Sequence, residues 1–275
     1  MDPDGHVRAL VREWVHDKHA RLERYVEISA AARRKWVKNG PGGTGYIDLF
    51  SGPGRCRIKG SDNVLPGSTL VAWRAALEKK SQFTEIFIGD LHPSIRAAAE
   101  FRSRPEIQHL QCLEGSAEST AAEVIKKANR HSLHLALLDP FNLGALPFSV
   151  IQTLAQLRHI DLLIHISLLD LNRNLLKYIK DPVSPLDAFA PRWREVVDQN
   201  RPVEYVRAKI FEHWRGLLGT LDMRTSEAAE LVSGPNGQPL YWLAFTSRHA
   251  RALEFWEKIR TIKPNPQAGI LEPHS

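Results

Sequence analysis

The chain has 275 residues, of which 43% are hydrophobic and 25% charged, a balance that supports a folded core and excludes a low-complexity or disordered polymer. No apolar run approaches the ~20 residues of a membrane span, and the charged N-terminus lacks the apolar core of a signal peptide, so the expected place is the cytoplasm with no membrane partner. A net charge of +6 is compatible with nucleic acid, and Cys56 and Cys112 stand too far apart for a C-x-x-C pair, so both read as reduced thiols with no metal site between them.

Within the first 36 residues, Leu10, Trp14, Val15, Leu22, Tyr25, Val26 and Ile28 recur at helical spacing, which predicts one long amphipathic helix ended by NGPGG at 39–43. Strand and helix then alternate. Strands are expected at 45–50, 83–90, 107–115, 133–139 and 160–169, with helices near 68–79, 94–101, 117–130 and 147–157. Beyond Leu171, prolines 182, 185, 191 and 202 punctuate a segment that looks inserted, followed by a helix at 203–218. The pattern closes with strands at 228–232 and 240–247 joined by SGPNGQP, a plausible hairpin, and a helix at 250–260.

Five buried strands separated by helices require a parallel sheet with crossovers. A sheet of this kind ending in an antiparallel hairpin resembles the Rossmann-like methyltransferase fold, with an N-terminal helix and a helical insertion added. The corresponding divisions are a helical extension at 1–43, a cofactor-binding core at 44–171, an insertion at 172–220, a hairpin and helix completing the core at 221–263, and a tail at 264–275.

The stretch TGYIDLFSGPGR carries the most information. Its β-formers end at Asp48, and Gly52, Pro53 and Gly54 then turn the backbone sharply, where the first strand would pass into its helix at the ligand-binding edge of an open α/β sheet. S-adenosylmethionine needs close backbone for its amino-acid end, an acid for its ribose and an apolar slot for adenine. Asp48, Phe50, Gly52 and Gly54 are placed to face the methionine portion. Asp90, ending the second strand, suits the ribose hydroxyls or else caps the next helix. Ser116 and Ala117, after the third strand, border adenine or simply begin a helix.

Asp139, Pro140 and Phe141 close the fourth strand, where amino-group methyltransferases carry (Asp/Asn)-Pro-Pro-(Tyr/Phe). There a carboxylate or amide and a carbonyl accept hydrogen bonds from the target amine while the ring stacks on an extruded base. DPFN lacks the second proline and brings the aromatic one place early, so Asp139 alternatively braces the cofactor loop. Asn172 and Arg173, read as a loop leaving the fifth strand, offer an Arg to clamp phosphate or carboxylate. Lys18 shares a helix face with Trp14 and Tyr25 and would bring an ammonium to the pocket, or remain solvated. Arg33, Arg34, Lys35 and Lys38 are a second basic cluster that either meets a phosphate backbone or is a solvated helix end.

These motifs together resemble the three-Cys-motif partner proteins. The resemblance runs through Trp14, Lys18, Leu22 and Tyr25 as W-x-x-x-K-x-x-x-L-x-x-Y, then YIDLFSGPGR, Gly67-Ser68, DPF at 139–141, NRN at 172–174 and LYWLAFTSRHARALEFW. DPFN here replaces the family's more usual DPFG. The resemblance implies an S-adenosylmethionine-dependent enzyme encoded beside a protein with a three-cysteine, radical-type motif, and it supplies no substrate.

Two functions stand on this reading. One is methyl transfer to a nucleic-acid base or nucleotide. The other is a non-catalytic module that docks a three-cysteine iron–sulfur partner through the 172–220 region, with Trp193 and Trp214 as anchors. Dinucleotide binding is disfavoured because Arg57 stands where a third glycine is needed.

Overall fold

A computed structural model describes residues 2–226, 230–233 and 239–260. In chain order the elements are β1 (Ala9–Val11), α1 (Val15–Ile28), α2 (Ala30–Asn39), β2 (Thr44–Asp48), β3 (Arg55–Ile58), β4 (Val64–Pro66), α3 (Ser68–Glu78), β5 (Glu85–Asp90), α4 (Pro93–Ser103), β6 (Leu110–Glu114) and α5 (Ala117–Lys127). There follow β7 (Leu133–Leu138), a 3-10 turn (Leu143–Ala145), α6 (Phe148–Leu154), β8 (Ile160–Ser167), α7 (Leu168–Lys180), α8 (Pro185–Phe189), α9 (Trp193–Val196), α10 (Val203–Gly219), β9 (Arg224–Thr225), β10 (Glu230–Ser233), β11 (Pro239–Ser247) and α11 (Ala250–Arg260).

The main sheet runs β6-β5-β2-β7-β8-β11-β10, with β9 paired to β11. From β6 to β8 every pairing is parallel, whereas β11 lies antiparallel to both β8 and β10. The last described strand, β11, therefore wedges between β8 and β10, as the Rossmann-like methyltransferase fold requires. The chain leaves β2 first to one side, for β5 and β6, and then to the other, for β7 and β8. That reversal opens a crevice at the carboxyl ends of β2 and β7, the position where open α/β sheets hold ligands.

Side chains alternate across the sheet and divide the core in two. Ile47, Phe87, Ala136, Leu138, Leu162 and Ile164 face a layer that includes α5, α6, α7 and α10. Tyr46, Ile88, Leu135, Leu137 and Leu163 face α1, α3 and α11. By this parity Asp48, Asp139, Asp161 and His165 all turn toward the α1 side, and the site is built on that arrangement.

Several expected features differ. The long N-terminal helix is two helices: Ser29 Oγ donates to the Tyr25 carbonyl and accepts from Arg33 Nη1 at 2.6 Å, which breaks the run between α1 and α2. The glycine turn after β2 does not enter a helix directly. It leads into β3 and β4, which form a small sheet with β1 before α3 begins. Position 171/172 lies inside α7, and the helices of 172–220 contribute Trp193, Ile210 and Trp214 to the same buried cluster as Ile47 and Leu138. The SGPNGQP loop, apart from its first and last residues, and the 264–275 tail fall outside the described residues. No helix among the described residues is long and apolar enough to cross a membrane.

Candidate functional site

The turn after β2 is held by its neighbours. Ser51 donates from both its backbone N–H and Oγ to the Gly89 carbonyl of β5, at 3.0 and 3.1 Å. Gly52 and Gly54 have φ of +57° and +71°, the left-handed region that favours glycine. They face different surroundings. A Cβ on Gly52 would meet nothing within 4 Å, whereas one on Gly54 would lie 3.1 Å from Ala99 Cα of α4. Gly67 in turn packs on Gly54 so closely that its own Cβ would come 2.8 Å from the Gly54 Cα. This contact seats Ser68 beside Asp48.

Asp48 is fully buried and accepts from Ser68 Oγ at 2.5 Å, Tyr46 Oη at 3.3 Å, Thr69 Oγ1 at 3.4 Å and the Phe50 N–H at 3.3 Å. Burial pushes its carboxyl up to about 6 despite those hydrogen bonds, and Asp139 adds to the rise. Asp48 therefore braces the turn from behind, with Phe50 half-buried above it. The free surface of the turn belongs to Gly52.

Asp90 ends β5 at the same edge. One carboxylate oxygen accepts the His92 N–H at 3.0 Å and so shapes the entry to α4; among the described residues the other oxygen has no hydrogen bond. Ser116 caps α5, its Oγ accepting from the Ser119 N–H, and Ala117 starts that helix half-buried. Gly52, the half-buried Asp90 and the start of α5 at Ser116 and Ala117 thus lie at or just past the ends of three strands at the carboxyl edge, with Gly52 leaving one side of the turn open.

At the end of β7 the structure brings together residues far apart in sequence. Lys18 Nζ of α1 bonds Asp139 Oδ2, and His165 Nδ1 of β8 lies 3.1 Å from Asp139 Oδ1. Burial works against ionising Asp139, yet the Lys18 ammonium beside it outweighs burial and holds the carboxyl below its ordinary value. His165 itself is pushed down to about 4 by burial, only partly offset by Asp139, and its ring packs against Tyr241 with centroids 4.4 Å apart. His19, next to Lys18, is likewise lowered to about 4, first by burial and then by the ammonium beside it. Asp139 is thus an anion with one lysine, flanked by two neutral imidazoles, its side chain still 23% exposed.

Pro140 is buried and Phe141 is 95% exposed, the most exposed large hydrophobic residue described. Asn142 then caps the 3-10 turn, and the Leu143 N–H donates to Asp170 Oδ2 at 3.0 Å, pinning this loop to the first turn of α7. Asn172 and Arg173 do not form a loop: Ser167 caps α7 directly after β8, so both lie in its second turn. Asn172 Oδ1 accepts from Arg207 of α10 at 2.5 Å, and Arg173 points outward. The 33–38 basic cluster also differs from a phosphate site, because Arg33 is buried with its guanidinium on Ser29, Ser81 and the Val26 carbonyl.

Sequence reasoning missed His165 and His19. The signal for His165 was a lone imidazole inside the apolar run IDLLIHISLL, in alternation with Asp161 and Leu163.

Strand order, switch point and turn define a Rossmann-like fold of the S-adenosylmethionine-dependent methyltransferase type. No protein-family model matches the chain, and no curated protein matches it in sequence. Solved structures resemble it distantly. A DszA carbon methyltransferase is 13% identical with a TM-score of 0.48, covering 80% of this chain, which spans only 50% of that one. The Legionella pneumophila protein LPL1258 is 9% identical with a TM-score of 0.49 over 90% of this chain and 94% of its own. The methyltransferase domain of a bacterial Hen1 protein is 13% identical with a TM-score of 0.43, covering 85% and 99%.

Proposed function

We propose that the protein binds S-adenosylmethionine at the carboxyl edge, through residues 48–54 and Asp90, and transfers its methyl group to a nucleic-acid base or nucleotide at Asp139–Phe141. The observation that carries this reading is Phe141, an almost wholly exposed ring two residues from a carboxylate kept ionised, at the switch point of the sheet. An exposed aromatic face offers a platform for a planar base, and stacking there is worth ~1–3 kcal/mol.

S-adenosylmethionine, when bound, supplies an electrophilic methyl group on sulfur. The chain's task is then positioning. Gly52 lets the backbone approach a ligand, Asp90 offers its free oxygen to a ribose, and Asp139 accepts hydrogen bonds from the acceptor amine. Lys18 keeps Asp139 charged for that purpose, and buried Pro140 fixes the backbone between carboxylate and ring.

Calorimetry with S-adenosylmethionine and its demethylated product tests the cofactor half: wild type binds, and Asp90→Ala binds at least tenfold more weakly. Equal binding by the variant, or none by wild type, overturns it. Transfer of a labelled methyl group to oligonucleotide, lost in Asp139→Ala, tests the acceptor half.

We also infer membership of the three-Cys-motif partner proteins from the motifs from Trp14 to Asn174. The docking alternative loses its anchors, since Trp193 and Trp214 are both 0% exposed. It retains exposed Val183 and Val196 on the 172–220 region, and co-purification with the neighbour-encoded iron–sulfur protein is its test.

A further inference from the structure

The outer face of α7 is the strongest feature that the proposed site does not absorb. Leu168, Leu171, Leu175 and Tyr178 are its buried stripe. At 100° per residue, Arg173, Lys177 and Lys180 fall within a sector of about 60° on the opposite side. All three are exposed, and among the described residues none of their side chains makes a hydrogen bond or ion pair. Arg207, tied to Asn172, adds a fourth cation from α10. The acids of this helix do not neutralise the stripe: Asp170 is engaged with Asn174, Tyr178 and the Leu143 N–H, and Asp181, just past the helix end, takes the Val183 N–H. Helix-dipole compensation accounts for Lys177 and Lys180 in the last turn but not for Arg173.

The stripe begins where Phe141 is anchored. The Leu143–Asp170 hydrogen bond ties the loop that carries the exposed ring to the first turn of α7. From there the three cations advance along the helix by about 10 Å, at 1.5 Å per residue. A free nucleotide gathers its phosphates at one point and would use one end of such a track, whereas a polynucleotide repeats its charge along it. An exposed ring, in turn, needs a base face that a duplex hides.

Resting on the proposed acceptor reading, the geometry points to a single-stranded polynucleotide as substrate, with the modified base on Phe141 and the adjoining phosphates along Arg173, Lys177, Lys180 and Arg207. The recognition is ionic along the track and sequence-tolerant.

Fluorescence anisotropy with a labelled single-stranded oligonucleotide of about 20 nucleotides, across a salt series, tests this. The triple variant Arg173→Ala, Lys177→Ala, Lys180→Ala is expected to bind at least tenfold more weakly near 0.1 M salt. Its log–log salt slope should fall by about 2, from ~0.7 per lost contact. The double variant Lys35→Ala, Lys38→Ala serves as the control and should bind like wild type. An unchanged slope in the triple variant, equal binding of a blunt duplex, or equal competition by polyglutamate overturns the inference, the last making this face a dock for acidic protein. Calorimetry with S-adenosylmethionine on the same triple variant should match wild type. If wild type binds the oligonucleotide through the stripe but takes up no S-adenosylmethionine, the cofactor reading fails and the track stands.

Discussion

One helix serves two aspartates, and the difference between them separates brace from site. Lys18 and Tyr25 lie seven residues apart on the same face of α1, over neighbouring strands β7 and β8. Tyr25 Oη donates to Asp161 Oδ2 at 2.7 Å and Ser247 Oγ to Asp161 Oδ1 at 2.5 Å, deep in the core at the amino end of β8. There the partners are neutral hydroxyls, and burial raises the Asp161 carboxyl despite them. At the carboxyl end the partner is an ammonium, Asp139 is held down, and solvent still reaches it. The closed, proton-tolerant group ties α1 and β11 to the sheet. The open, charged one keeps a carboxylate available beside Phe141.

Asp161→Ala gives the largest expected effect. It leaves two buried hydroxyls without an acceptor, at ~1–3 kcal/mol each, so chemical denaturation should show a loss of about 3 kcal/mol. Asp139→Ala should cost only about 1 kcal/mol, because Lys18 can turn its ammonium to water, while abolishing methyl transfer. Equal losses of stability would make Asp139 a brace as well and erase the contrast.

His165 and Asp161 should also respond oppositely to acid. His165 is lowered to about 4 in the folded chain from an ordinary value near 6.5. Between those values the unfolded chain holds the proton that the folded one lacks, so stability rises with pH across the window and the contribution is lost below about 4. At ~1.4 kcal/mol per unit this amounts to roughly 3 kcal/mol, and His165→Gln should make the rise in a pH series of urea melts shallower, the remainder belonging to His19. Asp161 contributes the reverse slope. Its raised value lets the folded chain hold a proton longer, so stability falls as pH climbs past the ordinary carboxylate range, and Asp161→Asn should remove that fall.

A smaller dissociation divides the glycine turn. Gly54→Ala meets Ala99 and also suffers its positive φ, and should lower stability by about 2 kcal/mol. Gly52→Ala suffers only its φ, about 1 kcal/mol, but puts a methyl group on the open side of the turn. Calorimetry should therefore show a larger loss of S-adenosylmethionine binding per unit of lost stability at position 52.

The central strands were legible because each is a run of apolar residues between turn signals, and β-branched or aromatic residues dominate YIDLF and EIFIGD. The small sheet was not, since β1 and β4 have three residues each and offer no period to detect. That Lys18 shares a face with Trp14 and Tyr25 follows from helical spacing alone, which leaves pocket and solvent both open. Its pairing with Asp139, 121 residues away, depends on the parity of β7 and on α1 lying over that face, which only the packed sheet fixes. Trp193 and Trp214 misled for a physical reason: an indole suits an interface and a core equally, and periodicity in so proline-broken a segment does not distinguish them.

Phe141 gives the smallest effect on stability and the cleanest separation of stability from function. A ring this exposed buries almost no area, so Phe141→Ala should leave the unfolding free energy within about 0.5 kcal/mol of wild type. If the ring stacks on the acceptor, the same change removes ~1–3 kcal/mol from the bound base and lowers kcat/KM for oligonucleotide methylation by about 5- to 150-fold. Phe141→Trp keeps a stacking face and should recover most of that rate. Binding of S-adenosylmethionine should be the same in all three proteins, because the proposal puts the ring on the acceptor side of the crevice. A rate that survives Phe141→Ala would move the acceptor off the β7 corner and leave Asp139 without a substrate to orient.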